Sequence, residues 1–133
     1  MGYAFEYKQM YPEAVAEFLQ GNPFGDTSAE DLAALERAFR VSGWEGYLRT
    51  QLGLSLARWE NDGPWHGYAY SIARNYARLG DQDNAFLSLE EAYTAHSGLL
   101  IWTPIELHFD RLRSDARYID LHRRLALPVA GPD

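Results

Sequence analysis

Five residues of this chain carry side chains suited to holding an anion: Arg37, Arg40, Tyr70, Arg74 and Arg78. A guanidinium group presents a planar fork of donors that meets a carboxylate or a phosphate with two bonds at once. Arg37 and Arg40 stand three apart, and Tyr70, Arg74 and Arg78 follow one another at steps of four. Those steps place side chains on one face of a helix. An acidic peptide segment is the guest such a surface selects. Glu36, Glu45 and neighbouring acids can also neutralise these arginines, and the sequence leaves both readings open.

The other chemistry-bearing residues give weaker patterns. His66, His96, His108 and His122 include no pair at three or four and no His-Glu-x-x-His, so they are read as surface or cap histidines rather than metal ligands. Glu90-Glu91 and Asp81-x-Asp83 are carboxylate pairs, the raw material of acid–base catalysis, but they fall on an outer helix face and in a turn. A nucleophile elbow, a P-loop and a dinucleotide fingerprint are absent. The expectation is no enzyme, no cofactor and no metal.

Composition narrows the field. The 133 residues are 47% hydrophobic and 23% charged, ordinary for one globular domain. Net charge is −7, concentrated toward the N-terminus, which argues against direct nucleic-acid binding. Without cysteine there are neither disulfides nor thiolate metal sites, in keeping with a reducing, cytoplasmic setting. The opening Met1-Gly2-Tyr3-Ala4-Phe5-Glu6 lacks the shape of a secretion signal, and no apolar run is long enough for a membrane span.

The elements that must position the arginines are helices. Ile72, Ala73, Tyr76, Gly80, Ala85, Leu89 and Ala92 form a spaced set that suits two short helices turning at Gly80, with alanine where the backbones come close. Phe39 and Gly43 repeat the aromatic-to-glycine step of four. Tyr11, Ala14 and Phe18 suit the second helix of an earlier hairpin. Punctuation predicts helices over 2–8, 11–20, 28–41, 44–60, 65–79, 82–96 and 115–126. Thr27 with Glu30 forms a capping box, and Ser114-Asp115 caps the last helix. Thr103-Pro104-x-Glu106 reads as the start of a further short helix, and Leu112, Tyr118, Leu121 and Leu125 as a lid on the last hairpin.

Tyr76-Ala77-Arg78-Leu79-Gly80-Asp81-Gln82-Asp83-Asn84-Ala85-Phe86 with Leu89-Glu90-Glu91-Ala92-Tyr93 resembles the last tetratricopeptide repeat of many bacterial multidomain regulators. Phe109-Asp110-x-Leu112-Arg113-Ser114-Asp115-x-Arg117-Tyr118 is similar to the signature that closes those arrays, and Val41-Ser42-Gly43-Trp44-Glu45-Gly46-Tyr47 to a segment one repeat earlier. The chain departs from the pattern at Leu107, Arg111 and Ala116, where relatives often carry proline, and at Gln9, which stands in place of a turn glycine. The winged-helix, kinase or cyclase-like domain that precedes such arrays has no counterpart here, and whether the chain is a whole protein or part of a regulator stays open.

The resemblance implies an all-α fold, a right-handed α-solenoid of about three hairpins with a C-terminal capping helix. Residues 1–21 would be a partial hairpin, 28–60 the second, 64–97 the third and 99–128 the cap, all in a single domain. Its first helices would line a concave groove, bringing Arg37, Arg40, Tyr70, Arg74 and Arg78 to face a peptide or protein partner. The expected role is a non-catalytic interaction scaffold. The alternatives are a small-anion binder or enzyme using the same arginines, and a regulatory or oligomerising piece of a larger protein. Trp44, Trp59, Trp65 and Trp102 are expected mostly in cores, with Trp65, Tyr68 and Tyr70 as an alternative contact surface. Tyr3, Tyr7 and Met10 would leave an apolar edge through which a homodimer forms.

Overall fold

The computed structural model describes residues 2–20, 28–62 and 66–125. Every element among them is helical, and no strand occurs among the described residues. In order they are α1 (Gly2–Tyr7), α2 (Tyr11–Gln20), α3 (Ala29–Asp62), α4 (His66–Arg78), α5 (Gln82–Thr94), two 3₁₀ segments (Gly98–Ile105 and Leu107–Leu112) and α6 (Ala116–Leu125). The chain divides into two compact units, residues 1–51 and 52–133.

Three of the helix ends share one geometry. At Gln9, Gly80 and His96 the backbone turns left-handed, with φ of 61°, 84° and 58°. Each of these residues donates its N–H to the carbonyl three back, namely Glu6, Ala77 and Tyr93. The residue after each, Met10, Asp81 or Ser97, donates to the carbonyl five back, on Phe5, Tyr76 or Ala92. This pair of bonds is the Schellman cap, which satisfies the last carbonyls of a helix and suits glycine. Gln9 therefore takes up a backbone conformation that ordinarily favours glycine.

The long element α3 is two helices merged across Gly43, whose φ of 72° and ψ of −159° lie where essentially only glycine is comfortable. A side-chain carbon added at Gly46 would lie 2.9 Å from the Ala38 carbonyl oxygen and 2.4 Å from the Ser42 Cβ. In a straight helix, eight residues span about 12 Å. The backbone therefore doubles back at Gly43, and Gly46 is bare because Ala38 occupies the space. Ser28 caps the first half, its Oγ accepting from Asp31 N–H at 3.1 Å; Thr27, the expected cap, lies outside the described residues.

The first unit is organised by stacked rings. Tyr11 of α2 lies on Trp44 with centroids 4.8 Å apart, and Trp44 lies on Tyr47 at 5.3 Å. Phe18 joins them and meets Tyr3 of α1 edge-on. Ala14, Val15, Leu35, Tyr47 and Leu48 are buried beneath.

In the second unit, α4 packs against α5 through Ala69, Ala73, Ala85 and Ala92, all without exposed surface. Alanine at these positions lets the two backbones approach. Leu100, Phe109, Leu112, Tyr118 and Leu121 complete this core, with Trp59 and Leu125 packed at its margin. The lid expected from Leu112, Tyr118, Leu121 and Leu125 is thus in place. Two arginines of α6 stitch it to α5 at matching seven-residue steps. Arg117 lies over Phe86 and pairs with Asp83, and Arg124 lies over Tyr93 and pairs with Glu90. Asp83 and Glu90, considered above as catalytic carboxylates, serve as these anchors.

The region 98–112 differs from expectation. The first 3₁₀ segment starts at Gly98, its N-terminus closed by Ser97, whose Oγ accepts from Leu99 N–H at 3.3 Å. Pro104 lies inside that segment, so Thr103-Pro104 does not open a new helix. Burial here recurs every third residue: Ser97, Leu100, Thr103, Phe109 and Leu112 are buried, and Glu106 is half-buried. A 3₁₀ helix has three residues per turn and superimposes i on i+3, so one row faces inward. Trp102 lies on an outward row and is exposed, contrary to its expected place in a core. Trp65 and the side chain of Tyr68 lie outside the described residues.

Candidate functional site

Of the five residues singled out, the structure brings Tyr70 and Arg74 to one place, and what they meet there is the chain's own Glu106. The four-residue step along α4 aligns them, and both 3₁₀ segments pack against that helix. Tyr70 is buried in the core with its ring edge-on to Phe109, centroids 5.6 Å apart. Its hydroxyl donates to Glu106 Oε2 at 3.2 Å, and Arg74 Nη1 lies 3.7 Å from the same oxygen. His108 Nδ1 donates to the other oxygen, Oε1, at 2.8 Å. The ring of Tyr70 lies in the apolar core, the main expectation for the aromatic residues, and not on the alternative contact surface.

The electrostatics follow from this arrangement. Burial works against the Glu106 charge, but the bond from His108, the charges of Arg74 and His108, and the bond from Tyr70 prevail and hold its carboxyl down to about 2. Burial, then the neighbouring Glu106 charge and the bond to it, push the Tyr70 hydroxyl well above its ordinary range. At neutral pH Glu106 stays ionised and Tyr70 stays protonated. General acid–base catalysis works best with groups that titrate near the working pH, and neither of these does. What the cluster can do chemically is bind: a saturated carboxylate ties two elements together.

A second polar group stands behind it. Arg113 Nη2 donates to the Glu106 carbonyl at 2.9 Å, and Nη1 donates to the Thr103 carbonyl at 3.2 Å and the Tyr118 hydroxyl at 2.6 Å. One guanidinium thus ties the junction of the two 3₁₀ segments to α6. Inside, the Thr103 hydroxyl donates to the Leu100 carbonyl at 2.9 Å and lies 2.9 Å from His122 Nε2. A hydroxyl has one proton to give, so the imidazole must be the donor, with its proton on Nε2. His122 is fully buried and stacks on Tyr118, inside the last helix rather than at the surface, the other of the two places the sequence allowed it.

The remaining candidates are elsewhere. Arg78 is half-buried and donates to Asn75 Oδ1 at 3.1 Å. Arg37 and Arg40 belong to the first unit and are exposed. Among the described residues, no group of three or more His, Asp or Glu side chains could hold a metal ion. No described helix is long and apolar enough to cross a membrane. Sequence reading missed Glu106 and His108 as partners; the available signal was an isolated acid at the end of an otherwise uncharged run, 98–105. No protein-family model, curated protein or solved structure matches the chain.

Proposed function

We propose that this protein is a non-catalytic interaction scaffold, a stack of tetratricopeptide-like hairpins that holds an acidic peptide or protein segment on its concave face. The observation that carries the reading is the pair formed by Glu106 with Tyr70 and Arg74. A carboxylate already docks on that face of α4, which supports a guest of the same chemistry. The reading is also supported by the roles of the polar residues: Glu106, Arg113, Thr103 and His122 each hold elements together rather than converge on a reacting atom. Arg78 at the end of α4 in the second unit, and separately the exposed Arg37 and Arg40 in the first, are the residues assigned to such a guest.

Fluorescence titration with acidic peptides and, separately, with inorganic phosphate tests this. Arg78→Ala and the double change Arg37→Ala, Arg40→Ala should each weaken peptide binding at least fivefold without loss of helix. Saturable phosphate binding with no affinity for any acidic peptide would instead favour the small-anion reading. No binding of either would remove the arginines from the account.

A further inference from the structure

Glu106 sits on α4 without meeting Arg74 as closely as a carboxylate can. Its Oε2 accepts from the Tyr70 hydroxyl at 3.2 Å but stands 3.7 Å from Arg74 Nη1. A carboxylate docked on a guanidinium fork takes two parallel bonds at about 2.7–2.9 Å. Other bonds fix where Glu106 lies: its second oxygen is held by His108, and its carbonyl accepts from Phe109 N–H and from Arg113. The span that carries it is anchored at its ends, where Thr103 and Phe109 are fully buried. Between them, Ile105 and Leu107 on either side of Glu106 are 67% and 55% exposed. The backbone at Glu106 is extended, with φ of −72° and ψ of 111°, and separates the two 3₁₀ segments. Its side chain can therefore turn outward about its own torsions while both anchors stay in the core. The way out is partly open, since the side chains of Arg74 and Glu106 are 24% and 15% exposed.

We propose that Tyr70 and Arg74 form a binding site for the carboxylate of a guest, and that Glu106 is a built-in plug which the guest displaces. The resident group defines the chemistry: a hydroxyl and a guanidinium, one turn apart on α4, already hold one carboxylate oxygen between them. A guest carboxylate is not tied to the 3₁₀ region, so it can turn to meet the Arg74 fork with both oxygens, which Glu106 does not do. Arg78 follows one turn further along the same helix. All four residues belong to the second unit, so the device is complete within it. The plug lowers apparent affinity by the fraction of time that it closes the site. The inference rests on the peptide reading only for the source of the carboxylate, an acidic peptide rather than a small acid.

Two measurements on the full chain test it: fluorescence titration with a glutamate hexapeptide, and the thermal midpoint in acetate against chloride at equal ionic strength. Glu106→Ala should bind the peptide roughly fivefold more tightly than the wild type. Adding Arg74→Ala to that variant should cancel the gain. Acetate should raise the midpoint of Glu106→Ala and leave the wild type unmoved, because only the emptied site can take it up. Where Glu106→Ala has lost its helical circular dichroism, Glu106→Gln, which keeps the shape and drops the charge, reads the same two quantities. A response to acetate with no peptide bound by any variant upholds the site, assigns it to small carboxylates and removes the peptide reading. No gain in either measurement overturns the plug. Wild-type peptide binding that Arg78→Ala weakens would then leave the peptide reading standing without it.

Discussion

Glu106 receives bonds or charge from Tyr70, Arg74 and His108, three side chains on two elements. Its carboxyl is held at about 2 in the fold against an ordinary 4.5. The unfolded chain therefore binds its proton more readily. The stabilisation is fully present above pH 4.5 and is lost as pH falls toward 2. With its side chain 15% exposed, the contribution is on the order of 2 kcal/mol. Glu106→Gln should lower stability at pH 7 by about that amount and flatten the loss between pH 4.5 and 2, as urea denaturation at several pH values would show. Arg113 makes a different kind of demand, since its fork bonds two carbonyls and a hydroxyl at once. Arg113→Lys keeps the charge but not the geometry, and should cost roughly 2–4 kcal/mol by the same assay. The sequence placed Tyr70 and Arg74 on one helix face because helical spacing is local. Their partner lies 36 residues from Tyr70 and could not be read, because no local rule links the two.

At the scale of elements, the shared cap at Gln9, Gly80 and His96 gives opposite expectations for one backbone conformation. Gln9→Gly and His96→Gly relieve a left-handed residue and should each stabilise by about 1 kcal/mol, whereas Gly80→Ala should destabilise by a similar amount. Thermal midpoints of the three variants would check this. Gly46→Ala presses a methyl group onto the Ala38 carbonyl and should destabilise by 2 kcal/mol or more, on the order of an overpacked core site. A variant as stable as the parent would mean that the backbone does not reverse closely at Gly43. Helix ends at Gly43 and Gly80 were legible because glycine punctuates the sequence in ways that depend only on neighbours, while the break expected at Asn61-Asp62-Gly63-Pro64 runs into residues outside those described. The 3₁₀ region was not. Its inward row is Leu100, Thr103, Glu106, Phe109 and Leu112, and the polar pair in the middle hides a period of three from any search by hydropathy.

Across the whole molecule, the described structure is all-helical and divides into units at 51 and 52, inside α3 rather than between hairpins. The second unit depends on its last elements, since Leu112, Tyr118 and Leu121 are each at most 1% exposed. Burial of that size is worth roughly 2 kcal/mol per side chain before entropy is subtracted. Ending the chain after Arg111 should therefore abolish hydrogen-exchange protection throughout α4 and α5, rather than only beside the cut. Persisting protection would show that the hairpin stands without its lid. The packing of α6 was foreseeable because it keeps an ordinary helical period; how it is fastened, by Arg113 reaching back to two carbonyls and by Arg117 and Arg124 to α5, was not.

The threefold phase of residues 97–112 also limits how this stretch can vary. One added or deleted amino acid would swing every later position by a third of a revolution, taking Phe109 and Leu112 to water and pushing charged neighbours inward. Exchange of side chains on the outer rows leaves that phase untouched. Insertions or deletions here should therefore be tolerated only three residues at a time, even where composition drifts freely.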